Sequence, residues 1–109
     1  MQDGVYRVWF KGPDGTAAGI MAFRNGDILG CDGGYSFVGR YTVKLGRITG
    51  EAVCTRLDPH LPNAALPDLD RFRLVIEGSP GKGFATLRGT VLDSPSYYVS
   101  CEFARVCDA

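Results

Sequence analysis

Hydrophobic and polar residues alternate along most of this chain with a period of two, the spacing of a strand that buries one face and wets the other. Over residues 35–45 the odd positions are Tyr35, Phe37, Gly39, Tyr41, Val43 and Leu45, while the even ones are Ser36, Val38, Arg40, Thr42 and Lys44. A strand of this kind needs neighbours on both edges and a core beneath it. The same alternation predicts them over residues 4–11, 17–24, 27–32, 47–57, 70–79, 84–92 and 96–106. Turn signals fall between the runs: Pro13-Asp14-Gly15, Asn25-Gly26, Gly33-Gly34, Gly46-Arg47 and Pro80-Gly81-Lys82-Gly83. No segment carries a 3.6-residue period. The one long irregular piece, residues 58–69, holds Pro59, Pro62 and Pro67 and is long enough to act as a lid or docking arm.

About eight strands joined mainly by tight turns predict an all-β fold, an antiparallel up-and-down β-barrel that closes on itself and so leaves no exposed edge. Glycines inside the strands (Gly19, Gly30, Gly39, Gly50, Gly89) fit a small barrel, which bends sharply where a Cβ would crowd. The 109 residues form a single domain, residues 1–109, large enough to need no metal or disulfide staple. Lys plus Arg balance Asp plus Glu, so the composition argues against direct nucleic-acid binding and against an anionic membrane as partner, leaving only local patches. The first residues lack a basic stretch followed by an apolar run, which predicts a cytoplasmic location. In that compartment Cys31, Cys54, Cys101 and Cys107 stay as free thiols, and without Cys-x-x-Cys spacing they form no zinc site.

Four stretches carry a resemblance: Asp3-Gly4-Val5-Tyr6, residues 25–32 ending Gly30-Cys31-Asp32, the aromatic strand Tyr35-Ser36-Phe37-Val38-Gly39-Arg40-Tyr41, and Ile48-Thr49-Gly50. Together they resemble the GrlR-like family of negative regulators of type III secretion, through the motif residues Asp3, Gly4, Tyr6, Gly30, Asp32, Gly39 and Gly50; Cys31 stands where the family has a second glycine. The resemblance implies a lipocalin-like (calycin-like) barrel that dimerises and works by binding a helix-turn-helix transcriptional activator rather than DNA. The alternating acidic run that the family ties to activator binding is absent from this sequence.

The faces suggest where binding happens. If Tyr6, Val8 and Phe10 point inward, the only tryptophan, Trp9, points out beside Arg7, and both residue types are enriched at protein interfaces. Val38, Val53 and Val75 also fall on outer faces and complete the candidate dimer or partner surface. The inward set Tyr6, Phe10, Tyr35, Phe37, Tyr41, Phe72 and Phe103 either fills a core, the commoner outcome, or lines a pocket for a small apolar ligand beneath the 58–69 loop. His60 has no converging partners, Cys54 and Cys101 sit among apolar neighbours, residues 78–83 lack the phosphate-loop spacing, and Asp32 is placed to cap the glycine corner. No catalytic set assembles, so the expectation is a non-enzymatic binding protein without a cofactor, with an apolar-ligand carrier as the alternative.

Overall fold

A computed structural model of the chain describes residues 1–61, 65 and 67–109. Eight strands run in order: β1 (Gly4–Gly12), β2 (Gly15–Arg24), β3 (Asp27–Cys31), β4 (Tyr35–Lys44), β5 (Arg47–Arg56), β6 (Arg71–Pro80), β7 (Phe84–Val91) and β8 (Ser94–Cys107). Each pairs antiparallel with the next, and β8 returns to β1, so the sheet closes into a barrel. The closure is long: Arg7 to Lys11 of β1 face Ala104 to Ser100 of β8. The expected eight-stranded up-and-down barrel is the fold observed.

Most faces follow the period-two reading, and one does not. The fourth turn is made by Leu45 and Gly46, not Gly46 and Arg47, because Lys44 pairs with Arg47. Val43 and Leu45, expected on the inward face with Tyr41, are exposed. The core ends at Tyr41 and Ile48, and the hairpin projects beyond it into solvent. A period fixes which side a residue faces, not how far the barrel extends beneath it.

Inside, all seven inward aromatics are buried. Their rings touch one another: Phe23 lies 5.3 to 5.6 Å from Tyr6, Tyr41 and Phe103, Phe10 lies 5.3 Å from Phe37, and Tyr35 lies 5.5 Å from Phe72. These edge and tilted arrangements suit aromatic quadrupoles and fill the lumen with side chains. Burial pushes the Tyr6 and Tyr41 hydroxyls above the usual phenol range, so both stay neutral. At several glycines the chain passes so tightly that a Cβ would strike backbone, most closely 1.8 Å from the Glu51 carbonyl oxygen at Gly39, and 2.2 Å from that of Ile20 at Gly30.

Several motif residues prove to be architectural. The Asp32 carboxylate accepts from the N–H groups of Gly34 and Tyr35 at 3.0 and 2.8 Å, capping the corner as its position suggested. Asp3 accepts from the Asn25 N–H and the Tyr41 hydroxyl, while its own carbonyl takes two bonds from the Arg105 guanidinium. That network ties the N-terminus to the β2–β3 turn and to the last strand.

The described part of the β5–β6 connection is fastened to the barrel by side chains. The Tyr35 hydroxyl sits 2.5 Å from the Leu69 carbonyl oxygen and 3.1 Å from that of Pro67, and the Tyr97 hydroxyl donates to Ala65 at 3.2 Å. Arg56 reaches Asp68 and Asp70 at 2.5 and 3.0 Å, and Ala65 is fully buried. The rest of the expected lid, Pro62, Asn63, Ala64 and Leu66, lies outside the described residues. Removing the anchor by Tyr35→Phe is expected to cost about 1 kcal/mol, with faster amide exchange at Leu69, whose N–H bonds Pro67. Unchanged exchange there would show that the hydroxyl does not hold the strap.

Candidate functional site

Because each ladder is in defined register, outward side chains from different strands line up into rows across the barrel. One row is apolar over five consecutive strands: Val5 pairs with Ala22, Ala22 with Leu29, Leu29 with Val38, and Val38 with Val53. At about 4.8 Å between strands the row spans roughly 19 Å. Leu29 is 62% exposed and Val38 53%, so no described residue covers its centre. Val5, Ala22 and Leu29 also line a surface groove of about 530 Å³ with Arg24, Asn25, Asp27 and Ala109.

The row on one side alternates in charge. Arg24 pairs with Asp27, Asp27 with Arg40, and Arg40 with Glu51. Arg40 and Asp27 lie 3.3 Å apart, both well exposed, an ion pair worth little on its own. On the other side Arg7, Ile20 and Cys31 follow in register, with Ile20 and Cys31 both exposed. Trp9 stands one row further, paired with Ala18 and Glu102, and the Arg7 guanidinium stacks 4.7 Å above its ring.

The residues singled out from the sequence therefore divide. Val38 and Val53 are direct neighbours at the middle of the apolar row, and Arg7 and Trp9 are stacked on the adjoining rows. Val75 stands apart, outward but half-buried between Glu51 and Thr90. Leu29, Ile20, Ala22 and Val5 were not singled out. Their signal was present in β2, where Ala18, Ile20 and Ala22 make the outward face as apolar as the inward one.

Nothing in this surface resembles a reaction centre. Among the described residues no group of His, Cys, Asp and Glu converges to hold a metal. His60 is exposed, its N–H bonded to the Asp58 carboxylate. Cys54 and Cys101 are buried and their thiols are pushed up to about 12, chiefly by burial, so neither supplies a thiolate near neutrality. All four cysteines are free. No helix among the described residues is long and apolar enough to cross a membrane.

What the surface offers is an exposed apolar row flanked by charge, and comparison with known proteins bears on its use. No curated protein matches the chain. The family model described as the T3SS negative regulator GrlR matches residues 1–91, which take in β1 to β7 whole. A match over residues 1–91 of the 109 places the chain in the GrlR family of type III secretion negative regulators.

Proposed function

We propose that this regulator acts in the cytoplasm as a homodimeric, non-enzymatic barrel that binds and restrains a helix-turn-helix transcriptional activator, with the Val5–Ala22–Leu29–Val38–Val53 row as the dimer surface. The observation that carries the dimer is the self-complementarity of two neighbouring rows. Take a two-fold axis parallel to the strands, lying between β3 and β4. It sets Leu29 of one copy opposite Val38 of the other and Ala22 opposite Val53. In the next row it sets Arg24 opposite Glu51 and Asp27 opposite Arg40, opposite charges at both positions. A closed dimer requires such an isologous patch, in which each residue meets its symmetry counterpart's neighbour.

The Arg7–Trp9 stack adjoins this patch and is left for the activator, since buried Trp and Arg anchors dominate protein interfaces. A carrier of a small apolar ligand is the weaker reading, because the aromatic rings that would line its cavity pack on one another. Leu29→Asp is expected to weaken self-association by about 2–4 kcal/mol, roughly 30- to 1,000-fold, with the melting temperature little changed because Leu29 is exposed. Sedimentation equilibrium reads the first and a thermal melt the second. A wild-type chain that stays monomeric at tens of micromolar would remove the dimer. Affinity capture from the host should return a helix-turn-helix regulator, and capture that returns none would remove the activator.

A further inference from the structure

The β4–β5 hairpin turns through Leu45 and Gly46, both in the left-handed region at φ 52° and 75°. The β2–β3 hairpin makes the same turn through Asn25 and Gly26, at 51° and 85°, with the residue pair that such turns favour. Leucine is a poor choice there, because its Cβ crowds the following carbonyl and it has no side-chain hydrogen bond to offset the strain. The leucine is also completely exposed. Folding and solubility both disfavour it, which leaves function as the reason for its presence.

Its surroundings supply the chemistry. Val43 is exposed beside it, and Lys44 and Arg47 flank the turn. The pairing of Ile48 with Gly78 brings the β6–β7 tip alongside, with exposed Lys82 and Phe84. Residues 42–49 and 79–85 contain no acid, and among the described residues Lys44, Arg47 and Lys82 form no ion pair. Acids at this end are engaged elsewhere: Asp27 with Arg40, Asp108 with Arg105, and Asp3 with the Asn25 N–H. Glu77 lines a groove with Arg47 further up the wall. The whole-chain balance of charge, which argues against a membrane partner, thus hides a local imbalance.

We propose that this end of the barrel docks on an anionic phospholipid surface, with Leu45 and Val43 entering the headgroup–acyl boundary while Lys44, Arg47 and Lys82 meet lipid phosphates. A lipid fits better than a protein groove for two reasons. The feature is convex and projecting, unlike the apolar row on the barrel wall, and its charges are of one sign, so they attract an anionic surface without setting a register. A two-fold axis parallel to the strands would leave both copies' tips pointing the same way, and docking by a single tip does not depend on that pairing.

Flotation of the purified full chain with phosphatidylcholine vesicles, with and without 30 mol% phosphatidylglycerol (about a third anionic lipid), tests it. Binding should be at least tenfold stronger to the anionic vesicles and should fall as salt is raised. Leu45→Asn, which suits the turn, should lower that binding about tenfold while leaving the melting temperature unchanged or higher. Leu29→Asp should still bind, so loss of pairing and loss of docking are separable. No binding to anionic vesicles, or equal binding by Leu45→Asn, overturns the proposal. So does a result in which Leu45→Asn spoils capture of a protein partner while vesicles are ignored.

Discussion

Replacing Phe23 with alanine is expected to lower the free energy of unfolding by about 3–5 kcal/mol. Phe23 is fully buried and, among the described residues, is the only side chain whose ring meets three others, those of Tyr6, Tyr41 and Phe103. Those partners come from β1, β4 and β8, so the ring joins three walls of the barrel rather than one pair of strands. Truncation removes the transfer energy of the ring and leaves a void that a closed sheet collapses around poorly. A small domain has only about 5–15 kcal/mol to lose, so the variant should melt far lower and bring part of the chain near the unfolding threshold. Chemical denaturation measures the change. A loss under about 1.5 kcal/mol would show that the barrel repacks, and the account of a rigid filled lumen would fail.

A single methyl group at Gly39 should do comparable harm by the opposite route. At this position β4 lies so close to β5 that a Cβ would stand 1.8 Å from the Glu51 carbonyl oxygen and 2.7 Å from the Ala52 Cα. Both are backbone atoms held in the ladder, so no rotamer change relieves the contact. Gly39→Ala should therefore cost about 3 kcal/mol or more, at the upper end for overpacking, and should open the pairing of Gly39 with Ala52. Gly34→Ala is the control. Its φ is not left-handed and the nearest atom to an added Cβ is the Asp32 carboxylate oxygen at 3.6 Å, ordinary contact, so its effect should stay within about 0.5 kcal/mol. Equal effects from the two substitutions would mean that the close approach of β4 and β5 is not what Gly39 is there for.

The barrel could be read from alternation because inward residues of most strands repeat at period two, and Asn25-Gly26 marked its hairpin without help from tertiary structure. The β4–β5 turn was misplaced by one residue for a physical reason. Leu45 occupies a backbone conformation that its type disfavours, so local preference pointed to Gly46 and Arg47 instead. The binding face was only half legible. Val38 and Val53 were visible as outward valines, but their adjacency depends on the register of β4 with β5, which no single strand encodes. Leu29 and Ala22 join them only through β3, a strand of five residues with little pattern of its own. Surface rows run perpendicular to the chain, whereas periodicity is read along it.

The union of β1 with β8 sets the order in which this protein can come into being. As the chain leaves the ribosome, Tyr6, Val8 and Phe10 emerge more than ninety residues ahead of their partners Arg105, Phe103 and Cys101. Until then β1 has only β2 beside it and presents a bare edge. Hairpins between neighbouring strands form from local contacts, but closure is a nonlocal step whose loop entropy must be met at once, which places such barrels among slow folders. The interval before closure is when another strand could pair with that edge. The barrel therefore closes only once β8 has been made, and β1 waits on that one pairing to lose its edge.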